Sequence, residues 1–327
     1  MILGGGFDNK KNIHIITTGV DYMNFITIYD DMIKYYSLKS KETSIFTIEQ
    51  RYKKNILPFF KNYNIEDITP KTYIEWQNYI NSKNYKSSYK NILHNEMIRF
   101  YNFANMYYNY NFNIPQKCGK FKNDSITEKR NIWTIKELKK FLSVIENKKE
   151  SLFFELLFFT GCRPGELMAL KWKNVYKNCI YIEYTITKRF VNNKRILQNP
   201  KTKSSKDFVM IDKFLYKKLL KLKKEESKKE YFSDDSFVFN NNNKPFSHTT
   251  IERHKNDYCK KANVYQIQLK EFRHSHATNI FYISHDIELV KKRLRHSSAR
   301  ITLETYTHFL DKNKREQKAL FYLRFFN

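Results

Sequence analysis

Apolar residues recur every three or four positions over most of this chain, and that helical pattern falls into two blocks. The first block runs through Glu49 to Tyr63, Lys71 to Ser82 and Ser87 to Asn109. Between its first two stretches, Ile65 to Pro70 reads as a turn, with Thr69 placed to cap the next helix and Pro70 at its first position. A Ser-rich cap opens the third stretch. Residues 42–117 therefore predict an all-helical bundle of about four helices. Ahead of it, 1–41 is less regular: a Gly4-Gly5-Gly6 run, then an aromatic-rich segment from Tyr22 to Tyr36 that starts a helix. After it, Cys118 to Asn131 is polar, basic and without periodicity, so 118–132 reads as a linker.

The second block, 133–311, opens with Thr134 followed three residues later by Glu137, a capping box. Ser151 to Phe159 is almost wholly apolar and predicts a helix buried on all sides. Two β-rich runs, Cys179 to Thr185 and Asp207 to Ile211, flank a Lys- and Asn-rich hairpin and predict a small antiparallel sheet. Helical spacing returns at Phe214 to Lys229, Thr249 to Ala262, Glu271 to Tyr282, Asp286 to Leu294 and Ala299 to Phe309. In the tail, 312–327, Ala319, Leu320, Tyr322, Leu323 and Phe326 make an apolar stripe too short for a core of its own. The expected fold class is mainly α with a small antiparallel sheet, preceded by an all-α bundle.

Composition narrows the partner. The 327 residues carry 60 Lys plus Arg against 33 Asp plus Glu, a net charge of +27. Part of that excess belongs to a Lys-, Asn-, Ile- and Tyr-rich composition of the kind an AT-rich coding sequence gives any protein; the rest favours an anionic polymer. The four cysteines are scattered without a C-x-x-C pair, which speaks for a reduced cytosol and against a zinc module or disulfide scaffold. The apolar run Leu152 to Phe159 carries Glu155 and is too short to span a bilayer, and the N-terminus lacks the pattern of a cleavable signal. A cytoplasmic protein with no membrane contact is expected.

Five segments carry candidate chemistry. The first is Thr160-Gly161-Cys162-Arg163-Pro164-Gly165-Glu166-Leu167, in which Gly161 suits a helix end and Pro164 the first turn of the next helix, setting Arg163 at a junction. Then come Pro200-Lys201-Thr202-Lys203-Ser204-Ser205-Lys206 on the hairpin and Leu269-Lys270-Glu271-Phe272-Arg273-His274-Ser275-His276-Ala277-Thr278. The last two are Leu294-Arg295-His296-Ser297-Ser298 and Ala299 to His308, with Tyr306 ten residues after His296. Two guanidiniums hold a phosphodiester bidentately, and a phenol is a nucleophile able to store the cleaved bond as a covalent link. His274 and His276 form an H-x-H, but residues two apart on a helix face different ways, so both read as structural rather than metal-binding. No G-x-x-x-x-G-K-[ST] occurs, so no nucleotide cofactor is expected.

In order and spacing these segments, over about 133–310, resemble the tyrosine recombinase, or phage-integrase, family. The resemblance implies that Arg163 and Arg273 clamp the scissile phosphate, with Glu166 supporting Arg163. It makes Lys201, with Lys203 second, the acid that protonates the leaving 5′-oxygen, and His296 a hydrogen-bond donor to a non-bridging oxygen. It makes Tyr306 the nucleophile. Two departures stand out: Lys270 replaces a histidine that commonly accepts a proton, and Arg295 replaces the glycine of an L-G-H-S-S motif. The family acts without metal or other cofactor. Its partners are double-stranded DNA attachment sites, a homotetramer assembled on them, and in some members an accessory excision factor. The bundle at 42–117 is then the core-binding domain, and 1–41 a remnant arm-binding region. The implied function is integration and excision of a phage or conjugative element; the alternatives are a Xer-type chromosome-dimer resolvase and a DNA-binding member that has lost catalysis.

Overall fold

A computed structural model of the chain describes residues 23–122, 132–191, 194–198, 206–296 and 298. It divides into two compact units, Met1–Glu128 and Lys129–Asn327. Lys201, Lys203, Tyr306, the expected helix at 299–309 and the tail lie outside the described residues.

Among its described residues the first unit is built of helices: α1 (Phe25–Ser37), α2 (Glu42–Arg51), α3 (Leu57–Phe60), α4 (Pro70–Asn81), α5 (Ser87–Tyr108) and α6 (Ile114–Cys118). Thr69 caps α4 as its sequence predicts, its hydroxyl accepting from Thr72 N at 3.3 Å with Pro70 at the first position. The boundary expected at residue 42 moves. Asn24 caps α1, and Phe25, Ile28 and Met32 are fully buried in the same core as Phe60, Trp76 and Phe100. The Phe25 ring stacks on Phe100 at 4.0 Å between centroids. An aromatic face of this size has to be covered, so α1 belongs to the bundle.

The helix expected over Glu49 to Tyr63 starts earlier, at Glu42, and widens into one π turn at Tyr52–Ile56 before α3. Pro58 supplies the reason: it has no N–H, and its ring would strike the carbonyl one turn back, so the regular ladder cannot pass through it. Asn55, inside the wide turn, is fully buried and accepts from Trp76 Nε1 on its carbonyl and from Tyr85 OH on its side chain, both at 3.0 Å.

The second unit opens with α7 (Ile135–Ser143), where Glu137 Oε2 accepts from Thr134 N at 2.6 Å and completes the expected capping box. Its axis is α8 (Lys148–Thr160), buried on all sides from Leu152 to Phe158. Then come α9 (Pro164–Met168), α10 (Lys213–Glu226), α11 (His248–Lys261), α12 (Leu269–Ser284) and α13 (Ile287–Leu294). Phe154 of α8 stacks on Phe272 of α12 with centroids 5.7 Å apart, so α12 lies directly on the buried helix. Strands β1 (Val175–Tyr176), β2 (Cys179–Tyr181) and β5 (Phe208–Met210) form an antiparallel sheet in the order β1-β2-β5, with Cys179 opposite Met210. Strands β3 (Thr185–Val191) and β4 (Lys194–Gln198) form a separate hairpin; β6 (Asn240–Asn241) and β7 (Lys244–Pro245) form a third pair. The run Cys179 to Thr185 therefore serves two sheets instead of one. Ile182 N donates to Asp207 O at 3.0 Å, and beyond it the chain turns away into the hairpin.

Candidate active site

The end of α8 and the start of α9 set the first arginine. Gly161 ends α8 in the left-handed region, φ +64°, with its N–H on Leu157 O at 3.1 Å. A Cβ there would lie 2.5 Å from His276 Cδ2, so the position demands glycine for space as well as for φ. Two residues on, Arg163 sits at the N-cap of α9. Its N–H donates to Glu166 Oε2 and its Nη1 to Glu166 Oε1, both at 2.9 Å. The Arg163 side chain is 44% exposed while Glu166 is 1% exposed: the carboxylate braces the guanidinium from inside. Gly165 is required too, because a Cβ would meet Ile186 O of β3 at 2.5 Å.

Arg273 joins this corner to the far end of the unit. It is buried on α12, donating through Nη1 to Gly161 O at 2.7 Å and through Nη2 to Leu294 O. One guanidinium thus ties the residue two before Arg163 to the residue two before His296. Between Leu294 and His296, Arg295 adopts φ +54°, ψ +44°, the left-handed conformation a glycine takes without cost. Its side chain is buried, with Nη2 on Glu166 Oε2 and Nη1 3.7 Å from Cys162 Sγ. Burial works to raise the Glu166 pKa, but the Arg295, Arg163 and Arg273 guanidiniums outweigh it and hold the carboxyl below its usual range.

His296 N donates to Lys291 O at 3.1 Å, which holds the half-buried imidazole just beyond α13. Burial, then the charges of Arg273 and Arg163, push its pKa down to about 4, so it is neutral at physiological pH, with one N–H to donate and one nitrogen to accept. His276, buried beneath Gly161, is pushed to about 3 by burial and by Arg293. His274 is half-buried, and Lys270 is exposed one turn before Arg273 on the first turn of α12. Arg163, Arg273 and His296 are therefore brought together; Lys270 lies on the helix that carries Arg273.

A cleft of about 360 Å³ opens beside His296 and Arg295, lined also by Lys206, Asp207, Glu288, Lys291 and Lys292. Sequence reasoning passed over Lys206. The available signal was its place just ahead of β5, where a strand rigidly seated in the sheet carries it to the wall of the site. The Glu166–Arg295 pair was also missed. Only the departure from glycine at 295 pointed to it, and nothing local says where a side chain there will go. Chemically, the arrangement offers two fixed guanidiniums and a neutral imidazole above a fully ionised internal carboxylate, with lysines at the rim. Such a set matches an anion with several oxygens around one centre, such as a phosphodiester.

Comparisons with known proteins agree with the geometry. A sequence profile described as "Phage integrase family" matches residues 132–313, and one described as "Phage integrase, N-terminal SAM-like domain" matches 24–81, a start that coincides with α1. The ICEBs1 integrase of Bacillus subtilis (strain 168) is 29% identical over 210 residues, 62% of this chain and 57% of that protein. A tyrosine recombinase XerC-like protein of Caldanaerobacter subterraneus subsp. tengcongensis is 29% identical over 197 residues, 54% of this chain and 50% of the relative. The chain spans about half the length of these curated relatives. Among solved structures, the Tn1549 transposon integrase in complex with transposon right end DNA has the same fold, with a TM-score of 0.74 at 18% identity over 91% of this chain and 99% of that one. A lambda integrase dimer bound to a COC′ core site matches with a TM-score of 0.65 at 17% identity, over 86% of this chain and 95% of that one. The match over 132–313 alone takes in more than half of the 327 residues, and on that ground the chain belongs to the phage integrase family.

Proposed function

We propose that this protein is a site-specific DNA recombinase that cleaves and rejoins duplex DNA through a 3′-phosphotyrosine, integrating and excising a mobile element. The observation that carries the reading is Arg273, whose guanidinium fastens the Arg163 corner to the His296 turn and so builds one phosphate site from segments over a hundred residues apart. In this reading Arg163 and Arg273 take the non-bridging oxygens and neutralise the charge that gathers as phosphorus becomes five-coordinate. The Tyr306 oxygen forms a bond to phosphorus, the bond from phosphorus to the 5′-oxygen breaks, and the phenolic proton is lost to water. Lys201 gives a proton to the departing 5′-oxygen. His296, neutral, donates a hydrogen bond to the phosphate. Lys270, a cation where a base is common, adds a further contact to the phosphate from α12. Rejoining reverses each step: a 5′-hydroxyl attacks the phosphotyrosine and the tyrosine leaves, so the bond energy is kept and no nucleotide cofactor is consumed.

Double-stranded attachment sites, a homotetramer on a pair of them, an accessory excision factor and a cytoplasmic setting complete the proposal. The conjugative-element and transposon integrases among the similar proteins support the mobile-element role. The XerC-like relative favours a chromosome-dimer resolvase as the second reading. The test is a set of nicked duplexes carrying candidate attachment sites drawn from the DNA on either side of the gene, incubated with protein and run on a denaturing gel. The parent should become covalently trapped and Tyr306→Phe should not. A parent that binds but never traps would make it a DNA-binding member without catalysis, and an adduct formed by Tyr306→Phe would remove Tyr306 from the role.

A further inference from the structure

Arg295 occupies a backbone position suited to glycine, yet its long side chain is drawn wholly inside the unit, 2% exposed. Burying a guanidinium is costly unless it is paired and hydrogen-bonded. Its partner is Glu166, itself 1% exposed, and Glu166 is also the group that braces Arg163. The carboxylate is fully engaged: Oε1 accepts from Arg163 Nη1, and Oε2 accepts from Arg163 N and from Arg295 Nη2. Arg273 is the third cation acting on it.

This sharing sets the charge of the site. A buried carboxylate with Arg163 as its sole close counter-ion would cancel the charge of the one guanidinium in the cluster that is substantially open to solvent. With Arg295 beneath it, the carboxylate is neutralised from inside. We propose that Arg295 is a positioning residue that supplies the counter-charge of Glu166, so that Arg163 is held in place by the carboxylate while keeping its positive charge for the phosphate. The second contact of Arg295, Nη1 to Cys162 Sγ, presses on the residue next to Arg163, and its own backbone sets the turn that delivers His296. One side chain thereby couples the α8–α9 corner to the α13 turn alongside Arg273. The inference rests on the recombinase reading for its phosphate.

The test compares Arg295→Met, which keeps length and loses charge, with Arg295→Lys, which keeps charge, and with Arg295→Met combined with Glu166→Gln. The readouts are the single-turnover rate of covalent trapping on the nicked duplex, duplex affinity, and the melting transition. Arg295→Met should lose about 10–100-fold in trapping rate, as do residues that orient a reacting group from behind, with duplex affinity nearly unchanged. Arg295→Lys should recover much of the rate. Removing the carboxylate charge with Glu166→Gln should raise the rate of Arg295→Met, although Glu166→Gln alone lowers the parent's. A merely space-filling Arg295 would give the opposite: Met close to the parent, Lys no better than Met, and Glu166→Gln deepening the loss. Where Arg295→Met does not fold, Arg295→Gly relieves the backbone, and the same rescue by Glu166→Gln is expected of it. If the parent itself never traps, the recombinase reading has failed; if the parent traps and Arg295→Met keeps its rate, only the counter-charge role has.

Discussion

Gly161→Ala places one methyl group at the point where the two halves of the candidate site meet. Three effects add. A non-glycine residue at φ +64° is strained by roughly 1–2 kcal/mol. The stiffer unfolded chain returns about 0.4–1 kcal/mol. The new Cβ falls 2.5 Å from His276 Cδ2 and 3.1 Å from Leu294 Cδ2, which is overpacking in a rigid core and costs roughly 1–3 kcal/mol. The net loss is about 1–5 kcal/mol, and at roughly 2–4 °C per kcal/mol for a unit of this size a middle value near 3 lowers its melting temperature by about 6–12 °C. Scanning calorimetry of the full chain, following the transition of the second unit, measures this directly. The steric share is separable: combining Gly161→Ala with His276→Ala removes the ring that is struck, so the double variant should be about 1–3 kcal/mol more stable than the sum of the singles. Since Gly161 O also receives Arg273 Nη1, trapping on a nicked duplex should fall further than stability alone explains. A Gly161→Ala protein as stable as its parent, or strictly additive losses with His276→Ala, would refute the close packing of Gly161 on His276.

Four further outcomes are expected. His276 and His296 are held far below the ordinary histidine pKa, so between about pH 6.5 and pH 4 the unfolded chain binds protons that the folded chain does not; stability should fall as pH falls through that window, by up to roughly 1.4 kcal/mol per pH unit for buried His276 and less for half-buried His296. Urea titrations at several pH values check this, and His276→Phe should flatten the slope. Duplex affinity should drop by about 10³–10⁵ between 50 and 200 mM salt if roughly six to ten phosphates are neutralised, and a flat response by filter binding would assign the +27 charge to composition alone. Arg163→Ala and Arg273→Ala should each nearly abolish trapping while sparing duplex binding, with the double variant little worse than either; multiplicative losses would argue against a shared phosphate clamp. A substrate with sulfur in place of the bridging 5′-oxygen should rescue Lys201→Ala but not Tyr306→Phe, because sulfur leaves without a proton; rescue of Lys203→Ala instead would move the acid by two residues.

What the sequence determined by itself is what depends on near neighbours. Thr69 before Pro70, Thr134 before Glu137 and Gly161 at the end of an apolar run each act within one helical turn, and each occurs as its local chemistry dictates. The same holds for Ser151 to Phe159, apolar but for Ser151 and Glu155, which has too little polar surface to form a solvent-facing side and is buried from Leu152 to Phe158. The order of the Arg, Lys, His and Tyr segments was enough to name the family, because it lies along the chain. Tertiary structure decided what passes between distant segments. That α1 joins the bundle depends on Phe25 meeting Phe100, 75 positions away, and no periodicity in its own stretch announces the partner. The division of one β-rich run between two sheets turns on Ile182 finding the carbonyl of Asp207. Arg295 is the plainest case. Its local signal is only a costly residue at a left-handed turn, and what compensates that cost is a carboxylate 129 residues earlier in the chain. A long flexible side chain takes its direction from the charge and space that the fold brings within its reach, and those come from packing rather than from the residues beside it.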